Sequence, residues 1–175
     1  MPVPALRPFN RVFEDRYSLI GDYKQLLPET DDLTLMVLKG HLILEEMLFA
    51  LVREHCAKPE YLEGARLSFA QLLRLARSLV SAPVPKEVWT AIAEINRLRN
   101  ALAHNLRPTD VETRVEEVYR AAIVGMESLP PDYSKPVVAA RILQESILSL
   151  IGALALVGGV SELLRSQGIS SPLSE

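Results

Sequence analysis

Proline punctuates this chain at intervals that admit helices and little else. It stands at 28, 59, 83, 85, 108, 130, 131 and 136, with others at 2, 4, 8 and 172. Proline has no backbone N–H to give to a helix or sheet ladder, so each position marks a boundary or a first turn. The stretches between are rich in Leu and Ala, which supply 29 and 17 of the 175 residues. Both enter helices at little entropic cost. Aromatic residues are few (Phe 4, Tyr 5, Trp 1), and neither strand-like alternation nor an internal repeat stands out. The pattern predicts an all-α fold: a bundle of five to six helices, with an additional long apolar C-terminal helix.

The boundaries follow from caps and breaks. Residues 1–28 read as an N-terminal extension in which a short helix can form within Phe9–Leu26. Thr30 or Asp31 caps the first strong helix, whose apolar pattern runs from Leu33 to Val52. Ser68 caps a second, and a third runs from about Lys86 to His104. Thr109 or Asp110 caps a fourth, ending near Ser128. The last begins near Pro136 and reaches about Gln167. The expected organisation is a helical core over 29–128, a C-terminal helix within 129–167 on the core or at a dimer interface, and a frayed tail over 168–175.

Charge and cysteine exclude several classes. Lys+Arg 19 against Asp+Glu 22 gives −3 and a pI near 5.7, which argues against a broad basic coat and leaves room for a local basic site. Cys56 is the only cysteine, so neither an intrachain disulfide nor a Cys-based zinc site is available. The first residues lack the apolar core of a secretory signal, and the expected location is cytoplasmic. The run Ser146–Val160 is shorter than the roughly 20 residues that span a bilayer. A buried core or interface helix is expected there, with no stable membrane association.

The first long helix has more apolar surface than one core needs. Leu33, Val37, Leu44, Leu48 and Leu51 form one apolar face, and Leu35, Leu38, Leu42 and Phe49 a second. Asp32, Lys39, Glu46 and Arg53 recur every seventh residue as a polar stripe. Thr34, His41 and Glu45 lie between the apolar faces, with His41 and Glu45 one turn apart. Two such faces suit a central helix, or one that meets its own core and a partner chain. The polar strip is either an ordinary helix-surface pair or a support for a site elsewhere.

The third helix carries the residues with the most chemistry. Val88, Ile92, Ile95 and Leu102 line one stripe of it, and Arg99 falls inside that stripe. A guanidinium on an apolar face needs an anion. Asn100 and His104 share a neighbouring face, whereas Arg99 and His104 lie roughly 140° apart around the axis. Arginine offers a planar fork to phosphate oxygens and stabilises charge that builds on them. Histidine can move the proton of a 2′-hydroxyl or of a leaving 5′-oxygen near neutral pH. This chemistry needs no metal or cofactor. Spacing alone favours a structural Arg in a salt bridge and a helix-end His bound to a carbonyl. Arg97 and Arg107 flank the segment, and Arg74 and Arg77 add charge on the second helix. Trp89 and Tyr61 are the aromatics able to stack bases, with Trp89 better suited to the core.

Arg99-Asn100-Ala101-Leu102-Ala103-His104 resembles the R-[polar]-x-x-x-H motif of HEPN domains, and the element order over about Thr30 to Ser128 is similar to theirs. The stretch Leu38–Glu46 fits as well. The resemblance implies a HEPN-like helical bundle. It also implies a metal-independent endoribonuclease, a homodimer that joins two motifs in one cleft, and a role as a toxin, phage-defence effector or RNA-processing enzyme. Arg99 and His104 would be its catalytic pair. Asn100 would hold the polar position, with Arg97, Glu45, His41 and Lys39 as supporting or RNA-binding residues. RNA is the implied substrate, and a cognate antitoxin a further partner. One subgroup carries a Tyr two residues after the His, as the site of inactivating nucleotide transfer. Here that position is Leu106, so the resemblance does not extend to that control. The mannitol operon repressor group has a similar "RN-x-x-AH" segment, and it implies the alternative: a non-catalytic interaction or repressor-like protein.

Overall fold

The computed structural model describes residues 9–105, 110–122 and 136–168. The described residues are helical, without strands. Six helices follow one another: α1 (Phe9–Leu26), α2 (Leu33–His55), α3 (Phe69–Leu79), α4 (Lys86–His104), α5 (Val111–Ala122) and α6 (Pro136–Ser166), with a single 3₁₀ turn at Pro59–Leu62. The expected extension of the fourth helix to Ser128 and the tail beyond Gly168 lie outside the described residues.

The helix starts obey local chemistry. The α2 cap is Asp32, one residue later than expected: its carboxylate accepts from the Leu35 amide at 3.0 Å, while Thr30 Oγ1 accepts from the Asp32 amide. Ser68 caps α3 as the sequence predicts. Its hydroxyl accepts from the Gln71 amide, and Gln71 Oε1 accepts from the Ser68 amide at 2.8 Å. This reciprocal box fixes the angle at which α3 leaves the loop. Gly64, at φ +81°, turns the chain just before it, in a backbone region that side chains rarely enter.

The long last helix is the centre of the bundle. α6 packs against α1, α2 and α5, and more lightly against α4. Its Leu143, Ile147, Leu150 and Ile151 are fully buried. Each such side chain contributes about 1.5–3 kcal/mol relative to an exposed one. Its apolar character extends beyond Ser146–Val160: Val138–Ser166 is long and apolar enough to cross a membrane, by length and composition. In this fold its buried positions meet other helices, while Arg141, Glu145, Ser149 and Leu156 are exposed.

α2 and α6 cross at Gly40. A Cβ there would overlap Ile147 Cδ1, so any other residue requires the Ile147 side chain to shift. α1 fills the whole Phe9–Leu26 stretch in which a short helix can form, 18 residues in all. Its Arg16 donates to both carboxylate oxygens of Glu54 on α2, at 2.9 and 3.0 Å, and to Glu162 on α6 at 3.4 Å. Tyr23 donates to Glu46 on α2 at 3.2 Å. These partners are distant in sequence, which is why the N-terminal segment gives little local sign of being anchored.

Candidate functional site

A cleft of about 420 Å³ opens where α2 and α4 diverge and the start of α3 closes one end. Three elements build it. From α2 come Leu38, His41, Leu42 and Glu45, spaced by three or four so that they share one face. From α4 come Asn96, Arg99 and Asn100, which share a face for the same reason. Ser68 and Phe69 supply the end wall, held in place by the α3 capping box.

His41 is the fixed point of this cleft. It is 7% exposed, and its imidazole stacks on the Phe69 ring with centroids 4.3 Å apart. Nε2 lies 3.1 Å from Asn96 Oδ1. An amide oxygen only accepts, so Nε2 carries the proton and Nδ1 is left as the acceptor of the neutral ring. Burial pushes the His41 pKa below the usual imidazole range. The Asn96 bond and Glu45 oppose that shift, and the Arg99 cation reinforces it.

The shift has a consequence for stability. Unfolded His41 titrates at the ordinary value, about 6.5, and the folded chain at a lower one. Between the two the unfolded chain binds more protons. The stability linked to this group is therefore complete above about pH 6.5 and is lost as pH falls toward the folded value. Urea midpoints at about pH 7.5 and about pH 5.5 should differ less in His41→Gln than in the unsubstituted chain. An unchanged difference would assign the pH dependence to other groups.

Arg99 is half-buried and donates through Nη1 to Asn100 Oδ1 at 3.1 Å. Among the described residues it forms no ion pair. Glu45 lines the same cleft and likewise forms none. The anion that a guanidinium in this position calls for is not supplied by the described chain.

The other residues singled out from the sequence lie elsewhere. His104 is exposed at the last position of α4. The helix stays regular to its end, since the Asn105 amide bonds Ala101 O at 3.1 Å and the Asn105 side chain caps the same carbonyl. No loosening turns His104 into the Arg99 cleft, and one protomer does not bring the two together there. Arg97 points away, paired with the buried Glu94, which also lies 3.9 Å from Arg114 on α5. That side chain docks α4 on α5. Lys39 is exposed and outside the cleft lining. Leu106 and Arg107 lie outside the described residues. Trp89 is buried in the core, and Tyr61 is exposed on the 3₁₀ turn.

Two cleft residues escape a sequence reading. Asn96 had a usable signal, since it sits one turn before Asn100 and three residues before Arg99. Phe69 had none, because its stack on His41 exists only once α3 is docked. Comparison of the chain with protein-family models, with curated proteins and with solved structures gives no match to any of the three.

Proposed function

We propose that this chain is a metal-independent endoribonuclease of the HEPN type, a cytoplasmic toxin or phage-defence effector. The observation that carries this reading is Arg99: a half-buried guanidinium in a nucleotide-sized cleft, with no carboxylate partner among the described residues. A phosphodiester supplies the missing anion. The 2′-hydroxyl oxygen attacks phosphorus, the bond to the 5′-oxygen breaks, and a 2′,3′-cyclic phosphate and a 5′-hydroxyl result. Arg99 stabilises the charge that grows on the phosphate oxygens. His104 moves the proton, from the 2′-hydroxyl or to the leaving oxygen.

His104 reaches that chemistry through a second copy of the chain. Leu35, Leu38 and Leu42 stand 38%, 40% and 57% exposed on one face of α2, Leu38 and Leu42 at the cleft and Leu35 outside its lining. This is the outward half of the two-faced pattern, and apolar surface grouped like this favours a partner. A homodimer across this face lets His104 of one copy approach Arg99 of the other. Leu35→Asp, on the same face but outside the cleft lining, should turn a dimer into a monomer in light scattering and reduce cleavage with it. An unsubstituted chain that is monomeric at working concentration would sink the shared cleft.

The deciding experiment is cleavage of an RNA panel in EDTA by the purified chain. Products ending in 2′,3′-cyclic phosphate are expected. Intact RNA throughout would favour the second reading, a non-catalytic interaction module with an antitoxin or other protein as partner. That reading draws on the separation of Arg99 from His104 within one protomer, and it predicts partner binding that survives His104→Ala.

A further inference from the structure

We propose that the cleft between α2, α4 and the start of α3 seats one guanine nucleotide of the RNA, with its phosphate on Arg99 and its base edge on Glu45. This rests on the ribonuclease reading and adds the base that the site selects.

The first argument is charge. Arg99 and Glu45 line one cleft without forming an ion pair with each other or with any other described residue. A ligand that satisfies both carries an anion and a set of N–H donors. A nucleotide does, and its volume suits a cleft of about 420 Å³.

The second argument is the donor pattern. A carboxylate accepts at both oxygens and donates at neither. Guanine presents two adjacent donors on its pairing edge, N1–H and the N2 amino group. Adenine and cytosine set a ring nitrogen lone pair beside their amino group. Uracil sets a carbonyl on each side of its single N–H. Each of these turns a lone pair toward Glu45, and guanine alone does not. The Asn96 oxygen is committed to His41, which leaves the Asn96 NH₂ as a donor for guanine O6.

The third argument is the surface on which a base would lie. His41 is 7% exposed and stacked on Phe69, so it braces the cleft wall and leaves the open surface to its neighbours. Leu38 and Leu42 add apolar area beside it. Bases bind such surfaces through their π-faces, which favours binding without discriminating among bases. Discrimination is left to Glu45.

The test is titration of the purified full-length chain with 3′-GMP, 3′-AMP, 3′-CMP, 3′-UMP and inorganic phosphate. Calorimetry gives the affinities, and the His41 ring resonances report occupancy of the cleft. 3′-GMP should bind about ten-fold or more tightly than the other four. Glu45→Gln, nearly isosteric, should erase that preference and keep the weaker shared affinity. Arg99→Ala should weaken all five. A single-stranded oligomer with one G, against the same oligomer with A there, separates RNA from free nucleotide as the natural ligand. Equal affinity for the four nucleotides, binding of none, or a preference unchanged in Glu45→Gln would overturn the proposal. Cleavage of RNA without base preference, together with equal binding, removes the guanine seat and leaves the ribonuclease. Selective 3′-GMP binding with no cleavage of any RNA removes the ribonuclease and leaves the seat.

Discussion

Arg99→Ala is expected to lower metal-free RNA cleavage by about 10²–10³-fold, the usual loss when one group that stabilises transition-state charge is removed. The lost contact is a charge-assisted, two-pronged one to phosphate oxygens, which lysine reproduces poorly. Arg99→Lys should therefore restore little. His104→Ala is expected to cost about 10²–10⁴-fold, as for a general acid or base. Neither change should unfold the chain. Arg99 bonds only its neighbour Asn100 among the described residues, and His104 is exposed at a helix end. Thermal midpoints within a few degrees of the parent, with cleavage gone, separate loss of chemistry from loss of fold. If the site is shared between copies, mixing the two inactive variants should recover part of the activity, because mixed dimers carry one Arg99 and one His104. Full activity in either variant alone would remove that residue from the mechanism.

The largest effect on stability is expected where α2 crosses α6. Ile147 is fully buried and fills the space that Gly40 leaves by having no side chain. Ile147→Ala should cost about 2–5 kcal/mol, from lost burial and the cavity left behind. For a chain of this length that is roughly 10 °C in thermal midpoint. Gly40→Ala works against itself. Alanine gains about 0.5–1 kcal/mol as the better helix former, but overpacking costs about 1–3 kcal/mol. Ile147 yields only in part: Cδ1 can swing about χ2, but Cγ1, 3.0 Å from the new methyl, is held by the preferred χ1 of a β-branched side chain. A net loss is expected. In the double variant the new methyl enters the space vacated by Ile147, so the combined loss should fall short of the sum by about 1 kcal/mol or more. Simple additivity in urea titrations would show that the two helices relax apart rather than collide.

The helices themselves are legible in the residues. The prolines at 59, 85 and 136 stand at or beside element boundaries, and Ser68 caps α3 through a bond to a residue three positions away. Such determinants act over one turn, so they are written locally. The two apolar faces of α2 are equally local, because periodicity alone sorts Leu44 and Leu48 from Leu35, Leu38 and Leu42. Burial then divides them: the first pair lies in the core and the row of three stands at the surface. Arg99 was marked by the same periodicity, as a cation inside an apolar stripe.

What stands around Arg99 was not written there. His41, Phe69 and Asn96 meet through a ring stack and one hydrogen bond between side chains far apart in the chain. No local rule relates those positions. They meet because α2, α3 and α4 dock at particular angles, which packing sets. The same holds for Arg16, whose partners lie on α2 and α6. Arg97 is the opposite case: Glu94 stands three residues before it on α4, and that pairing is written locally. The sequence by itself determined the helices, their approximate starts and the cation that needs an anion, because capping and periodicity act within a few residues. Only the tertiary structure decided that α6 packs against α1, α2, α4 and α5, and that the Arg99 cleft is shared with His41 and Glu45. Those outcomes depend on which apolar faces meet, and that is fixed by the packing of the whole bundle at once.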